Sequence, residues 1–583
     1  MDTRRWRLVY LALGVLLRVI LLVWGHLQDR TAAVPYTDVD YAVFNDGAHA
    51  LIHGCPLAET LQSGLYEEES DLFDVPELAA RVSCARGFLP AVARFVLHSD
   101  PGNGTHTPEA IPDSSPLTVA SKLTFTFSRP LFTLLATLGD PYARPTYRYT
   151  PLLAALLAPL HRLGGWQWGG KVLFAAADIA CAVLMWCIVD QRALRHVALA
   201  RAGARGTHLP GLLWLLNPFP AQIATRGSAE SLVGVLVLGA IWLLLRATPE
   251  LALVPESVGE ASGEHRAQAA REERMAADEP QRRMEARSGD TRDAPAGDAV
   301  RHAAAGSPRD LRVVSVPAFY TSAVLLALAV HVKLYPVVYG TSILAHLAGY
   351  RRRAIRILCG MTRPSAFQVH VLGVWFAVCA AAAYFIVTGA VWLVWGRPFL
   401  VHALLYHLRR QDHRHNFSVY FLPTYLGATG AAGGGLEPLL TPTQSALASF
   451  VPQLLATGLI GLWMGGQDLV MSCAVQTLVF VAWNKVYTSQ YFLWYLWFVP
   501  IVGTTMYFPS HAHIARLLIV WVAAQVCWLY YAYQLEFRAQ DTFVALWLSS
   551  LGLLAVHTYC AHACLSAWTA WRARAAVVEA KAE

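Results

Sequence analysis

Long apolar stretches recur along the chain and are separated by polar loops. They start near residues 8, 170, 209, 229, 315, 335, 367, 446, 469, 493, 513 and 542. An α-helix needs ~20 mostly apolar residues to cross a bilayer. The shorter runs 209–221 and 335–349 are therefore expected to be broken or tilted helices, or to continue into their neighbours. The pattern predicts an all-α integral membrane protein, a helical bundle with about 10–12 transmembrane helices.

Two polar segments interrupt this pattern and suggest a division of the chain. Residues 56–138 form a mixed loop that contains Asn103-Gly-Thr, an N-glycosylation acceptor. Residues 247–312 are rich in Ala, Glu, Arg and Asp and predict a disordered cytosolic linker. We therefore expect an N-terminal membrane region, 1–246, and a C-terminal membrane region, 313–583.

Arginines mark alternate loops, and this sets an expected orientation. Basic residues near the ends of spans favour the cytosolic side. Counting spans from a cytosolic N-terminus places each arginine-rich loop and the C-terminal tail on that same side. These arginines are Arg4, Arg5, Arg7, Arg192, Arg195, Arg201, Arg205, Arg351, Arg352, Arg353, Arg572 and Arg574. Both termini are therefore expected in the cytosol.

Composition agrees with a membrane protein. Only 15% of residues are charged, 55% are hydrophobic and the mean hydropathy is +0.40, whereas soluble domains are about 25% charged. The net charge of +7 is scattered through short loops, which does not indicate nucleic-acid binding. The basic and then apolar N-terminus lacks a small-residue cleavage site and is read as a retained anchor.

The remaining polar clusters fall on the opposite, non-cytosolic face. Ordinary loop polarity would explain any one of them, but it explains less well why seven segments share one face. The segments are YTDVDYAVFNDGAHA with Asp38 and Asp40, TYRYTP with Arg148, NPFPAQIATRGSAES with Arg226 and Glu230, HVKLYP with Lys333, YHLRRQDHRHNFSVYF with Arg409, His415 and Asn416, NKVYTSQYFLWYLW with Lys485 and Gln490, and QLEFR with Glu536.

These residue types suit transfer of a sugar from a lipid carrier. No glycine-rich nucleotide motif follows a strand, so a donor would arrive through the membrane, for example on a polyprenyl phosphate. Phosphate is a stable leaving group, so the reaction needs cations to hold it and one carboxylate to accept a proton. Asp38 and Asp40 could supply the carboxylate, and Arg226, Lys333 and Arg409 the cations. Direct displacement would invert the anomeric centre.

Other polar residues give weaker signals. The spacing of His402, His407, His413 and His415 matches no strong metal signature, so we assign no metal ligands and no certain cofactor. Arg18 lies inside the first span and needs a buried partner, either an internal side chain or the lipid phosphate. Cys55 and Cys84 could pair in an oxidising compartment.

Several motifs together resemble those of a known family. They are QDRTAAVPYTDVDYAVFNDGA, TYRYTPLL, WLLNPFP with TRGSAES, HVKLYP, HLRRQDHRHNFSVYF and NKVYTSQYFLWYL. They look like the motifs of the PIG-M family, the catalytic subunits of GPI mannosyltransferase I, which are GT-C glycosyltransferases. The resemblance runs from the first span to about residue 537 and is interrupted by the two polar segments.

The resemblance implies an endoplasmic-reticulum membrane enzyme with a lumenal active site. It would transfer the first mannose, in α-1,4 linkage, from dolichyl phosphate mannose to glucosaminyl-phosphatidylinositol, with or without an acyl group on the inositol. The family's Asp-x-Asp maps onto Asp38, the expected general base, and Asp40, which would orient the acceptor. Further substrate contacts are expected from Arg148, Arg226, Glu230, Lys333, Arg409, His415, Asn416, Lys485 and Gln490. A small stabilising membrane subunit is a possible partner.

Some positions depart from the family pattern, and other functions stay open. Glu230 stands where the family is expected to have Asp, TRG replaces SRG, and the 56–138 insert is long. The alternatives are another GT-C transferase that uses a polyprenyl-phosphate sugar, or a membrane transporter. A transporter fits less well because the polar residues favour one face and no matching halves are visible.

Overall fold

The computed structural model describes residues 3–53, 84–98, 131, 133–162, 166–193, 203–248, 315–359, 363–409, 415–428 and 450–580. These ranges are mainly helical, and their β structure is a single isolated bridge between Cys84 and Gly139. The expectation of an all-α protein is confirmed.

Most of the apolar stretches form helices, and further helices form where the pattern predicted none. In the N-terminal half they are α1 (Thr3–Thr31), α2 (Val39–His53), α3 (Phe88–His98), α4 (Pro151–Arg162), α5 (Trp166–Ala193), α6 (Gly203–Pro210), α7 (Pro218–Thr225) and α8 (Glu230–Ala247). In the C-terminal half they are α9 (Val316–Val332), α10 (Tyr339–Cys359), α11 (Ala366–Trp395), α12 (Phe421–Ala428), α13 (Val451–Met464), α14 (Leu469–Ala482), α15 (His511–Arg538) and α16 (Phe543–Ala580).

The run 209–221 is broken, and the run 335–349 begins with a short turn and then continues as a helix to Cys359. After α6 the chain forms a π-helix, Gly211–Leu215, before α7 begins at Pro218. The Asn217 side chain accepts a hydrogen bond from the Phe219 N–H, and Pro218 occupies the first turn, a combination that starts a new helix. A 3₁₀ turn, Tyr335–Val338, likewise separates α9 from α10.

The run expected to span from residue 493 is also broken. It folds as two short helices, Phe492–Leu496 and Val499–Val502, followed by a 3₁₀ turn, Gly503–Thr505. Pro500 lacks an N–H and lies in the first turn of the second piece, where proline is tolerated. One continuous span was the wrong reading of this apolar run.

Six helices within the described ranges are long and apolar enough to cross a membrane. They are Thr3–Thr31, Trp168–Ala193, Glu230–Ala247, Ala366–Trp395, His511–Arg538 and Phe543–Val577. Four shorter apolar helices accompany them: Pro151–His161, Val316–Val332, Val451–Met464 and Leu469–Ala482. A helix such as α13, with 14 residues, rises only about 21 Å, less than the ~30 Å hydrocarbon core. The protein is a multi-pass membrane protein.

The helices pack into one bundle with α8 near its centre. α8 lies between α5 and α9, α11 packs on both α9 and α10, and α13 packs on α10 and α14. α16 joins α14 to α15. One hydrophobic core extends from Tyr10 in α1 to Trp568 in α16, and α2 packs with α4 beside it.

Arg18 finds its partner inside the protein. It is 1% exposed, and its Nε donates to Asp178 of α5 at 2.9 Å. Its Nη1 donates to the carbonyls of Gly14 and Leu215, each at 2.8 Å. Ser231 of α8 bonds the other Asp178 oxygen at 3.1 Å. Of the two partners left open, the internal one is correct, and this network ties α1, α5 and α8 together.

The arginine-rich segments meet at one end of the bundle, here called the basic end. Arg7 pairs with Asp190 at 2.6 Å, and Arg192 pairs with Asp468 at 2.5 Å. Arg572 donates to Gln467 at 2.5 Å. α1 runs from this end toward Asp38, so the Asp38–Asp40 pair lies at the opposite, carboxylate end. Among the described residues, Arg7, Arg192 and Arg572 therefore lie at one end, as predicted; Arg195 and Arg201 lie outside the described residues.

Part of the 56–138 insert docks at the carboxylate end. The Gly87 N–H donates to the Val394 carbonyl of α11 at 2.9 Å, and Cys84 is disulfide-bonded. Cys55 and Asn103 lie outside the described residues, as do residues 249–314 of the expected linker region. The predicted domain boundaries and the Cys55–Cys84 pairing stay predictions.

Candidate active site

Asp38 and Asp40 lie at the start of α2, directly after the loop that follows α1. The segment is helical from Val39, which places Asp38 at the N-cap of α2. Tyr41, Phe44 and Ala48 are buried, and their spacing of three and four residues places them on one helix face. This face packs against α4 and α5. The same spacing in the sequence could have predicted the helix.

The Asp38 carboxylate is held from two sides. Its Oδ1 accepts from the Asp40 N–H at 3.2 Å, the contact of a helix N-cap. Its Oδ2 accepts from Nε2 of Gln490 at 2.6 Å. The Asp38 N–H in turn donates to the Arg226 carbonyl at 2.9 Å. Segments from three distant parts of the chain therefore fix this carboxylate, which stays partly exposed.

Asp40 lies in a more charged setting. Burial raises the pKa of its carboxyl and the Asp38 carboxylate raises it further, whereas the Tyr149 hydroxyl and the Lys333 ammonium lower it. The net pKa lies above the ordinary value. Burial also raises the pKa of the Tyr149 phenol, so this hydroxyl keeps its proton and can donate to Asp40. The two neighbouring carboxyls thus have different environments, which favours different roles.

Lys333 and Glu230 form an ion pair beside Asp40. Trp494 Nε1 donates to the second Glu230 oxygen at 2.7 Å. The Lys333 ammonium lies 5.0 Å from the ring centre of Tyr491 and 4.8 Å from that of Trp494. Burial lowers the pKa of Lys333, but Glu230, Tyr491 and Asp40 together outweigh this effect, and the pKa lies above its ordinary value. Tyr335 stacks on Trp494 with ring centres 3.8 Å apart. Tyr335, Tyr491 and Trp494 together form the aromatic wall of the site.

The Arg-Gly pair after α7 supports the Asp38 loop. Arg226 donates through Nε to the Tyr36 carbonyl at 2.9 Å, and its own carbonyl holds Asp38. Gly227 has φ +100°, which favours glycine. A Cβ at Gly227 would lie 2.5 Å from the Tyr41 ring of α2. The glycine therefore allows α2 to approach the loop closely.

Arg148 forms a separate group. Its guanidinium bonds His402 and lies 4.5 Å from the ring centre of Tyr406. His407 Nε2 lies 3.3 Å from the Arg148 carbonyl. Tyr149 follows directly and reaches Asp40. Arg148 thus anchors the loop that delivers Tyr149, while its own side chain points to the segment 402–407.

Asn416 and Lys485 meet each other where two predicted motif loops join. Asn416 is 0% exposed. Its amide donates to the Lys485 carbonyl at 3.1 Å and accepts from the N–H groups of Ser418 and Tyr487 at 3.0 and 3.2 Å. Its side chain therefore holds the two loops together. The Lys485 ammonium is buried without a hydrogen-bond partner among the described residues, and burial lowers its pKa.

The other predicted contacts are more peripheral. His415 is exposed, has φ +50° and lies 3.3 Å from Glu536. Arg409 ends a short helix, Tyr406–Arg409, and its side chain lies outside the described residues, as does all of His413. Within the described ranges, no group of three or more His, Cys, Asp or Glu side chains is placed to hold a metal ion.

A cavity of about 350 Å³ opens beside the Asp38 loop, between α1, α2 and α5. Its polar lining includes Asp29, Arg30, Thr37 and Lys171. Lys171 donates to Thr37 at 2.5 Å and lies 3.4 Å from Asp29. These contacts fix Thr37, the residue before Asp38. The cavity beside it has room for a small polar group.

The structure brings six of the predicted site residues into one cluster: Asp38, Asp40, Arg226, Glu230, Lys333 and Gln490. Tyr149, Tyr491 and Trp494 belong to the same cluster and were missed. Tyr149 follows Arg148 in the motif TYRYTP. This position was the signal in the sequence that could have identified Tyr149 as a site residue. For Tyr491 and Trp494 no signal was available, because sequence alone cannot show that their rings face Lys333.

Comparison with known proteins agrees with these motifs. A family model described as Mannosyltransferase (PIG-M) matches residues 310–565. GPI mannosyltransferase 1 of Emericella nidulans is 32% identical over 442 residues, covering 72% of this chain and 82% of that protein.

Two further relatives extend over nearly the whole chain. The GPI alpha-1,4-mannosyltransferase I catalytic subunit of Danio rerio is 28% identical, covering 94% of this chain and 93% of that protein. GPI mannosyltransferase 1 of Aspergillus oryzae is also 28% identical, with the same shares covered. The chain therefore belongs to the PIG-M mannosyltransferase family, enzymes that transfer mannose in GPI-anchor biosynthesis.

Proposed function

We propose that this enzyme transfers the first mannose of the GPI anchor, in α-1,4 linkage, from dolichyl phosphate mannose to glucosaminyl-phosphatidylinositol. The observation that carries the proposal is the carboxylate pair, held among cations at one end of a membrane bundle. The printed name of the Danio rerio relative supports the linkage. Since the opposite end carries the arginines, the positive-inside tendency favours a lumenal site, and we propose the endoplasmic reticulum as its location.

Asp38 is the proposed general base. It is partly exposed, and its carboxylate is oriented by Gln490 and by the Asp40 N–H. In the proposed reaction, the acceptor hydroxyl gives its proton to Asp38 while its oxygen forms a bond to C1 of mannose. The bond between C1 and the phosphate oxygen breaks, and dolichyl phosphate leaves. A positioned base of this kind contributes typically 10²–10⁴-fold to a rate.

Asp40 is proposed to orient the acceptor. Its raised pKa and its bond with Tyr149 place a polarised carboxyl beside the base. A carboxyl in this position can bind a second acceptor hydroxyl or the glucosamine ammonium. Burial separates this carboxyl from solvent, so a hydrogen bond from a polar ligand would stabilise it.

Arg226, Lys333 and Arg409 are proposed to hold the donor phosphate. Lys333 acts on Asp40, and the Arg226 carbonyl accepts from the Asp38 N–H. The Glu230 partner offsets part of the Lys333 charge, so phosphate binding would require Lys333 to be shared between the two anions. A small membrane subunit is proposed as a stabilising partner, as implied by the family resemblance.

The test uses full-length enzyme in microsomes supplied with labelled dolichyl phosphate mannose and glucosaminyl-phosphatidylinositol. Asp38→Asn is expected to abolish formation of the singly mannosylated glycolipid, and Asp40→Asn to reduce it strongly. The matched control is Asp46→Asn on the same helix, because Asp46 is half exposed and pairs with the surface residue Arg144 at 2.9 Å.

The outcomes separate the alternatives. Wild-type transfer by both Asp38→Asn and Asp40→Asn would refute the assigned site. A product formed only on a later GPI intermediate or on an N-glycan precursor would indicate a different lipid-linked sugar transferase. Movement of lipid-linked sugar across proteoliposomes without glycoside formation would indicate a transporter.

A further inference from the structure

A second and larger cavity lies at the basic end of the bundle. Its volume is about 600 Å³, and it opens between α10, α11 and α13. α10 begins at Tyr339, beside the aromatic wall of the active site, and carries Arg352, Arg353 and Arg356 in its last turns. Arg353 lies roughly 20 Å further along the helix than Tyr339. The cavity is therefore separate from the candidate active site.

Positive side chains line this cavity without a matching carboxylate. The lining includes Arg352, Arg353, Arg356 and His370 and contains no Asp or Glu among the described residues. All four are exposed. Asp468, two residues after the lining residue Gly466, already pairs with Arg192 and caps α14. An anion of another molecule is the partner that this charge favours.

Apolar side chains continue the cavity toward the membrane-facing surface. Leu344, Val374 and Leu462 line it, and Val374 and Leu462 are 55% and 57% exposed. Its floor is helix backbone: a Cβ on Gly349 would lie 3.2 Å from the Gly466 carbonyl oxygen. The cavity thus has arginines at its opening and continues into an apolar groove between helices. This arrangement suits a site at the water–lipid boundary.

We propose that this cavity binds an anionic glycerophospholipid. The lipid phosphate would contact the guanidinium groups of Arg352, Arg353 and Arg356, and an acyl chain would lie along Leu344, Val374 and Leu462. Guanidinium groups match phosphate geometry, and basic pockets between transmembrane helices are suited to anionic headgroups. The bound lipid would fill the groove between α11 and α13, which both pack on α10.

The test measures lipids retained by purified full-length protein with native mass spectrometry. The protein is placed in nanodiscs of phosphatidylcholine alone or of phosphatidylcholine with phosphatidylinositol or phosphatidylserine. Wild-type protein is expected to retain the anionic lipid selectively. Arg352→Gln/Arg353→Gln should weaken retention by about 20- to 30-fold, because each arginine near anionic lipid contributes roughly a factor of five.

The matched charge control is Arg4→Gln/Arg5→Gln, which removes two exposed cations at the N-terminus of α1, near the same end. It should retain the lipid as wild type does. Val374→Trp, which fills the apolar part without changing charge, should also lose the lipid. Val378→Trp, one turn further along α11 and 50% exposed, is its control. Size-exclusion profiles check folding, and Arg352→Lys/Arg353→Lys should keep most of the binding.

Three results would overturn the proposal. The first is equal retention by wild type and Arg352→Gln/Arg353→Gln. The second is equal loss in both arginine double variants, which would indicate only a general surface-charge effect. The third is competition by inorganic phosphate as strong as that by the lipid, since this would identify a soluble anion site. Mannose transfer is assayed in parallel but decides none of these outcomes.

Discussion

Replacing Gln490 by leucine tests how Asp38 is oriented. The amide donates to the Asp38 carboxylate at 2.6 Å, and the two residues lie on segments far apart in the sequence. Hydrogen bonds to charged groups contribute about 1.5–3 kcal/mol. Because Asp38 is partly exposed, the lower part of this range applies. A loss of about 1.5–2 kcal/mol in transition-state stabilisation corresponds to a roughly 10- to 30-fold slower reaction.

The measurement is mannose transfer at varied concentrations of acceptor glycolipid. Since Gln490 is expected to orient the base, kcat should fall while KM changes little. Gln490→Glu should be the more damaging change, because it removes the hydrogen bond to Asp38 and places a second carboxylate against it, so kcat should fall further than in Gln490→Leu.

Gln525→Leu is the matched control, because Gln525 bonds the Trp521 carbonyl within its own helix. It should keep wild-type kinetics. Wild-type kcat for Gln490→Leu, or an equal loss in Gln525→Leu, would refute the positioning role.

Three further predictions concern stability and pH. Arg18→Met should destabilise the protein by about 3–5 kcal/mol, because it leaves a buried carboxylate without its cation; thermal unfolding in detergent measures this, and an unchanged midpoint would contradict it. Gly227→Ala should cost about 1–3 kcal/mol from its φ alone and more from the clash with Tyr41, whereas Gly552→Ala, in open space within a helix, should be neutral or stabilising. Asp40→Asn should raise stability near neutral pH while lowering transfer. The raised pKa of Asp40 means that ionisation destabilises the fold, so this gain should shrink as pH falls toward the ordinary carboxyl pKa; a gain independent of pH would contradict it.

The helical membrane architecture was predictable because its signals are local. A long apolar run carries its own reason to form a helix in lipid, where every backbone polar group must be bonded within the segment. The short lengths of the runs 209–221 and 335–349 indicated interruptions, and Pro218 and Pro336 lie in the first turns of the helical segments that follow them. The counting of spans grouped the arginines correctly, since alternation follows from the number of crossings. α2 was not predicted as a helix, because its 15 residues include polar side chains such as Asp46 and His49, although Tyr41, Phe44 and Ala48 follow helical spacing.

The motifs in the sequence indicated the family, and its apolar and basic segments indicated the helical bundle and the end at which Asp38 and Asp40 lie. Tertiary structure alone decided their partners. Gln490 reaches Asp38 only because the bundle brings the loop after α14 over the start of α2. Asn416 became a buried tie between loops because backbone groups from both sides converge on its amide. Such pairings depend on the relative placement of helices, which is fixed by packing across the whole core and leaves no local trace in the chain.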